Sequence, residues 1–316
     1  MRYLIIGAGG TGGALAGFLA RAGQEVALIA RGSHLAAIQK EGLTVDLPEE
    51  SFTVKVSAYD MAAYLQARVG GEAAPDIIFV CLKGYSLAEA VAFLHDAADS
   101  HTLIIPILNI YGTGGRLQEQ LEDRIVTDGC IYIFSQKGEP GHIKMGGGLF
   151  RVIYGLRQGT SEAIAKSAEP VLEKLTEELQ EGGAKAVHSH QIEADCFRKF
   201  TLISPMASLG AAYGTTAKDV QPGGAYRDKF IALVGELMAI AKAQDISLPE
   251  DMLEINLKMV DNMVPGATSS MQRDVEAGRP SEVDGLTYEV TRMAAKAGVK
   301  VPVYEEVGEV LRGKGL

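Results

Sequence analysis

Apolar positions along the chain follow two different periods, and the change between them divides the sequence. Residues 3–6 form a short apolar run ending in glycines; Ala14, Leu15, Phe18 and Leu19 then recur at helical spacing, and a second apolar run at 26–29 follows Gly23. A short apolar run bounded by turn residues reads as a buried strand, and recurrence every three to four residues reads as one helix face. Together they predict a β–α–β unit. The alternation continues, with strands predicted over 76–82 (DIIFVCL), 103–108 and 124–127 and a helix over 87–94. Parallel neighbours need crossover connections, so strands separated by helices predict an α/β fold with a doubly wound, Rossmann-type parallel sheet.

Between 130 and 155 the texture changes to short β-like pieces, CIYIF, HIKM and LFRVIYG, separated by glycine-rich turns. These predict an antiparallel extension of the same sheet. Residues 161–179 return to a helical pattern. After about residue 190 strand signals nearly vanish, and helices are predicted over 191–214, 223–245, 249–263, 269–277, 282–297 and 303–312. The expected organisation is an α/β domain over 1–189 and an all-α domain over 190–316. A length of 316 residues agrees with that division, at roughly 150 residues per domain. No internal repeat or low-complexity linker interrupts either part.

Composition narrows the function classes. The chain is 47% hydrophobic and 22% charged, as ordinary globular proteins are, so a disordered chain is excluded. With 30 Lys+Arg against 40 Asp+Glu the formal charge is -10, which argues against a nucleic-acid or anionic-membrane surface. An anionic ligand therefore needs a local basic site. The first twenty residues imitate a secretory signal superficially, but glycines at 7, 9, 10, 12 and 13 interrupt the apolar stretch. No other segment approaches the about 18–20 uncharged apolar residues of a membrane span, so a cytoplasmic protein is expected. Cys81, Cys130 and Cys196 form no C-x-x-C pair and read as structural thiols of a reducing compartment.

The first chemical motif is Gly7-Ala8-Gly9-Gly10-Thr11-Gly12, a G-x-G-x-x-G directly after a predicted strand and opening a helix. Gly7 allows the tight turn, Gly9 lets backbone approach a pyrophosphate, and Gly12 permits close packing of helix on strand. The helix N-terminus supplies amide donors and a favourable dipole for phosphates. A glycine-rich structural turn is the competing reading, but strand, glycines, helix and second strand fall in order. About 20 residues on, where an acid would hold a ribose hydroxyl, stands Arg31, with Ser33 and His34 beside it. A guanidinium there pairs with a 2′-phosphate, which favours NADP(H); a solvated loop arginine is the alternative.

Lys83 follows the apolar strand ending in Cys81-Leu82, at the strand end where open α/β sheets place their ligand crevice, and so points toward cofactor or substrate. A surface lysine at a loop start remains the alternative. Asn109 ends IIPILN in the same manner, and its amide suits a substrate carbonyl or the nicotinamide ribose as well as a turn. Lys199 precedes the uncharged stretch 200–214, with Ile203 and Met206 on its helical face. Desolvation of a lysine there lowers its pKa and makes it a better proton donor near neutrality; a snorkelling lysine at a helix end would look the same.

Near the C-terminus, Thr268-Ser269-Ser270-Met271 precedes Glu282 by twelve residues counted from Ser270, across a Gly278-Arg279-Pro280 break. A hydroxyl and a carboxylate on two angled helices can face one cavity. Alternatively, Ser281 with Asp284 forms a capping box and Glu282 merely favours the helix dipole. His188 and His190 lack a carboxylate or cysteine partner at zinc-site spacing, so no metal is expected. No nucleophile signature is present, and covalent catalysis is not expected.

Taken together, GAGGTG, Arg31, the VCLK around Lys83, Asn109, Arg198-Lys199 and TSSMQRD…GRPSEVDGL resemble the ketopantoate reductase family over nearly the whole chain. The resemblance implies reduction of 2-dehydropantoate to pantoate with NADPH, on the way to pantothenate and coenzyme A. It implies Lys199 as the proton donor to the ketone oxygen, Glu282 as the acid holding a substrate hydroxyl, and Ser270 as a substrate carboxylate contact. It also puts Asn109 near nicotinamide and substrate, and Lys83, Asn109 and Glu282 are expected at the cofactor as well. Many members carry asparagines four and eight residues after the lysine and a glycine after the crevice asparagine; here these are Ile203, Ala207 and Ile110. A site that loses amide groups selects a different 2-oxo acid. Another branched 2-oxo acid is therefore the second reading, and a non-catalytic NADP(H) sensor the third. The expected partner is a small-molecule 2-oxo acid, not nucleic acid or membrane, and the apolar helical domain leaves room for a homodimer.

Overall fold

The computed structural model describes residues 1–316. The first part of the chain runs β1 (Arg2–Ile6), α1 (Gly10–Arg21), β2 (Glu25–Ile29), α2 (Gly32–Glu41), β3 (Leu43–Asp46), β4 (Ser51–Val54), β5 (Ser57–Tyr59), α3 (Met61–Val69) and β6 (Ile77–Val80). A 3₁₀ turn (Gly84–Ser86) leads into α4 (Leu87–Ala97), β7 (Leu103–Pro106), α5 (Thr113–Gln118), β8 (Ile125–Val126), β9 (Asp128–Lys137), β10 (His142–Gly155), α6 (Glu162–Glu181) and β11 (Lys185–His188). Helices follow: α7 (Ile192–Tyr213), α8 (Ala217–Val220), α9 (Ala225–Ala243), α10 (Met252–Asp261), α11 (Ser270–Glu276), a π-helical turn (Asp284–Tyr288), α12 (Glu289–Ala297) and α13 (Pro302–Gly313). None is long and apolar enough to cross a membrane.

Two compact units result: Met1–Leu108 with Gly112–Glu193, and Asn109–Tyr111 with Ala194–Leu316. The first holds a six-stranded parallel sheet in the order β5-β2-β1-β6-β7-β8. Its central strands β6 and β7 are buried at every position, which is why they read as unbroken apolar runs rather than alternating ones. Strand order reverses between β1 and β6: the chain moves outward through α1 to β2 and β5, then returns to the other side of β1. That is the topological switch point.

The pieces between 130 and 155 do not extend this sheet. β9 and β10 pair antiparallel within a second sheet of order β11-β10-β3-β4, touching the first only through an Ile107–Gly129 bridge. The reason is that β10 takes parallel partners, β3 and β11, from distant parts of the chain. Pairing between sequence-distant strands leaves no local signal, and β3 to β5 are only three or four residues long.

The second sheet also changes the meaning of α1. From Gly12 to Leu19 every residue of α1 is buried, because the helix packs on strands of both sheets. A β-carbon on Gly13 would collide with Ile143 of β10, and one on Gly17 with Val45 of β3, while Phe18 meets Phe52 and Phe150 edge-on. Glycine inside a helix costs about 1 kcal/mol relative to alanine. Here it lets the helix lie against a sheet that alanine would push away.

The second unit is helical, with a core that includes Phe197 and Phe200 of α7, Leu233 and Leu237 of α9, Leu286 of the π turn and Tyr304 of α13. The uncharged stretch after Lys199 is buried from Phe200 to Ala212 except at Ile203 and Met206, which are half-buried. Residues 109–111 belong to this unit because Ile110 joins its core and Tyr111 packs edge-on against Phe197, 4.8 Å between ring centres.

Candidate active site

In the first unit the glycine loop has the shape its sequence implies. Gly7 adopts φ 102°, reachable cheaply only by glycine, and a β-carbon there would lie 2.6 Å from the Cys81 carbonyl oxygen. A β-carbon on Gly12 would collide with the Gly7 carbonyl oxygen. The loop is thus folded against the end of β6, which places Cys81 and the following Lys83 beside it at the switch point. Lys83 is half-buried and is the N-cap of the 3₁₀ turn.

The remaining loop positions divide between ligand and packing. The N-cap of α1 is Gly9, with no side-chain cap, no acid in the first helical turn and open space where its β-carbon would stand. An uncapped, acid-free helix start with room above it suits a pyrophosphate. Gly10 serves a different purpose, since a β-carbon there would lie 2.6 Å from the Ser135 carbonyl oxygen of β9. These residues fit a dinucleotide, with Ala8 and Thr11 completing the loop.

Arg31 is the N-cap of α2, with an exposed guanidinium 3.4 Å from the Glu89 carboxylate, a long contact that costs little to break. His34 turns away from it into the interior, where Nδ1 accepts from the Gly141 amide at 2.9 Å. Burial holds its pKa below the ordinary value.

In the second unit two residues 90 positions apart are joined. Lys199 on α7 is only 6% exposed, and its Nζ donates to the Asn109 amide oxygen at 2.7 Å. The segment 109–111 is wedged in place by Ile110, which fills the space that a β-carbon on Gly285 would occupy. Gly285 lies in the π turn, three residues after Glu282, which is itself buried at 5% exposure. Two buried bonds tie α7 to that turn: Ser204 Oγ donates to the Leu286 carbonyl at 2.6 Å, and the hydroxyls of Ser208 and Thr287 meet at 2.7 Å. Lysine, asparagine and the glutamate-bearing turn are therefore held to one helix.

The capping-box reading of Ser281 and Asp284 does not hold. The π turn has no side-chain cap, and both Asp284 carboxylate oxygens are taken by Arg292 at 2.8 Å. A helix was expected from residue 282, whereas the wider π turn stands at 284–288, a form that recurs at functional sites. Ser269, not Ser270, caps α11, accepting from the Gln272 amide at 3.0 Å; Ser270 is half-buried at the first helical position. A β-carbon on Gly210 of α7 would collide with Gln272, so Gly210 lets α11 lie close on α7.

Two features escaped sequence reading. Asp128, at the start of β9, accepts from the Gly114 amide at 3.0 Å and pairs with Arg157 Nε at 3.1 Å, anchoring the turn just past 109–111. Burial outweighs both partners and pushes its carboxyl up to about 6. His188, which lacked a carboxylate partner in sequence, has one in space: Glu169 of α6 lies 3.5 Å from its Nδ1.

Comparison with known proteins decides the family. Residues 3–159 match the pattern of ketopantoate reductase PanE/ApbA, and residues 191–315 that of its C-terminal part. The chain belongs to the ketopantoate reductase family. Among its relatives is a 2-dehydropantoate 2-reductase from Mesorhizobium japonicum, 26% identical over 99% of this chain and 97% of the relative. The 2-dehydropantoate 2-reductase from Geobacter metallireducens shares the fold with a TM-score of 0.87 at 22% identity, covering 99% of this chain and all of that one. D-mandelate dehydrogenase, solved with NADH and anilino(oxo)acetate, also shares it, with a TM-score of 0.84 at 21% identity, over 99% and 98% of the two chains. The family is one of oxidoreductases, so the paired Lys199 and Asn109 stand in a chain of redox lineage.

Proposed function

We propose that this protein is an NADPH-dependent reductase of a 2-oxo acid, with 2-dehydropantoate as substrate and pantoate as product. The observation that carries the proposal is the buried Lys199 ammonium held on the Asn109 amide oxygen at 2.7 Å. A nicotinamide dinucleotide, when bound by the glycine loop, supplies the hydride. Negative charge then develops on the former ketone oxygen. An ammonium positioned beside it stabilises that charge and transfers a proton, giving a 2-hydroxy acid. Asn109 fixes where Lys199 Nζ sits, and so restricts its remaining N–H bonds to a narrow set of directions. Glu282 holds a substrate hydroxyl, Ser270 the substrate carboxylate, and Lys83 the cofactor or substrate at the switch point. Arg31 meets the 2′-phosphate of NADP(H) after exchanging its exposed Glu89 contact. In this role the protein works in the cytoplasm, on the route to pantothenate and coenzyme A.

A second substrate class is favoured by Ile203. It lies one helical turn after Lys199 on α7, and Ile203, Ile110 and Ala207 all belong to or pack on the apolar core of the second unit, where the family pattern has two amides and a glycine. Such walls suit a 2-oxo acid with a larger apolar side chain better than one with a hydroxyl to satisfy. D-mandelate dehydrogenase, whose fold this chain shares, is solved with anilino(oxo)acetate, and that likeness supports the second reading.

The test is NADPH oxidation measured with 2-dehydropantoate and a panel of branched and aromatic 2-oxo acids, with Lys199→Ala in parallel. Turnover of 2-dehydropantoate lost in the variant supports the first reading, and preference for an apolar 2-oxo acid the second. Tight NADPH binding without turnover of any 2-oxo acid would sink both and make the protein a cofactor sensor.

A further inference from the structure

We propose that Glu169, His188 and His190 bind a divalent transition-metal ion, zinc in the first place, on the surface of the first unit. Candidate ligand atoms of the three residues all lie within 4.8 Å of one another. Two come from the end of a strand: His188 is the last residue of β11 and His190 stands two positions on, with ring centres 5.2 Å apart. The strand ends at His188 and the chain turns at His190, which brings the second imidazole back beside the first. The third comes from α6, which packs beside β11, and its Oε1 is 3.5 Å from His188 Nδ1.

Two imidazoles and one carboxylate are a donor set that zinc takes, at bond lengths of about 2.0–2.2 Å. Tetrahedral geometry at that length separates ligand atoms by about 3.4 Å, so the His188–Glu169 spacing of 3.5 Å already fits, and a spacing of 4.8 Å closes to it by a shift of about 1.4 Å, within reach of a rotamer change of exposed His190. An ion there would sit where the present contact is too long for a good hydrogen bond.

The surroundings hold the first imidazole in place. His188 stacks on Tyr154, planes 10° apart, and the Tyr154 hydroxyl meets Thr176 Oγ1 of α6 at 2.6 Å. Glu169 and His188 are half-buried while His190 is exposed, so the site opens toward solvent on the His190 side. An ion would enter there and keep water in its fourth position. Bound, it clamps β11 to α6. The residues lie in neither the glycine loop nor the Lys199 site, so this proposal stands or falls independently of the reductase reading.

The experiment is titration of the full-length protein, dialysed against chelator, with Zn²⁺ by calorimetry and with Co²⁺ by visible absorption. Wild type, His190→Ala and Glu169→Gln are compared, with far-UV circular dichroism and the metal-free unfolding temperature as controls for folding. The expected result is one Zn²⁺ per chain, a Co²⁺ band between 500 and 650 nm of the intensity typical of four or five ligands, and a rise in the unfolding temperature on zinc addition. Affinity should fall about tenfold or more in each variant while the circular dichroism spectrum and the metal-free unfolding temperature stay those of wild type. No stoichiometric zinc binding by the wild type overturns the proposal. So does binding of equal strength in His190→Ala, which would point to the cysteines or to adventitious carboxylates.

Discussion

The glycine loop of the first unit and the lysine site of the second are built on opposite principles. At the loop, missing side chains leave the backbone room: Gly7 and Gly12 let strand, loop and helix pack with nothing between them. At the lysine site the side chains are the apparatus, and backbone from elsewhere in the chain holds them. Asn109 meets Lys199 on a segment held by Ile110 against Gly285 and by Tyr111 against Phe197. A backbone site depends on a short contiguous motif, whereas a side-chain site depends on three distant segments agreeing.

The sharpest way to separate the two is Lys199→Ala. We predict a loss of kcat on the order of 10³-fold, with the Kd for NADPH within twofold of wild type. A fall in NADPH affinity equal to the fall in turnover would show that the two regions are not separable. Asp128 probes how the segment carrying Asn109 is anchored. Its folded-state carboxyl, pushed up to about 6, binds a proton more tightly than the unfolded chain does at an ordinary 3.8. Its contribution to stability is therefore fully present below about pH 3.8 and is lost as pH rises through 6, by about 3 kcal/mol at most. Urea unfolding of Asp128→Asn across pH 4–7 should lack that component of the slope; parallel curves for variant and wild type would rule it out.

The opposite half is broken by Gly12→Ala. A β-carbon there collides with the Gly7 carbonyl oxygen, so we predict about 2 kcal/mol of lost stability and NADPH binding weakened by tenfold or more, read by thermal unfolding and fluorescence titration. Unchanged binding would remove the loop from the cofactor site. The smallest effect belongs to Arg31→Ala, for which the NADPH-over-NADH preference in kcat/KM should drop by about tenfold. If both cofactors lose equally, Arg31 serves packing and not the 2′-phosphate.

The alternating β and α signals of the first 130 residues and the helical texture after 190 were legible because the central strands β6 and β7 are buried on both faces and the helices carry apolar residues at helical spacing. The second sheet was not, because β10 pairs with strands about 100 residues before it and about 35 after it, and no local period records such pairings. Gly13 and Gly17 illustrate the same limit: in sequence they weaken a helix, and only the sheet lying across them gives a reason for their presence. The π turn after Glu282 was likewise hidden, since residues 282–297 carry an ordinary helical pattern and Ile110, which packs on Gly285 in that turn, comes from a segment about 175 residues earlier.

What the sequence determined by itself is whatever rests on contiguous residues: the β–α–β unit, the glycine loop, the apolar helix behind Lys199, and the family, through motifs with short internal spacing. Only the tertiary structure decided that Asn109 holds Lys199, that Asp128 anchors the neighbouring turn and that Glu169 meets two histidines. Each of these joins residues about 14 to 90 positions apart. Such contacts are set by packing of whole elements, whose energy is spread over many apolar side chains and leaves no mark on the residues that finally touch.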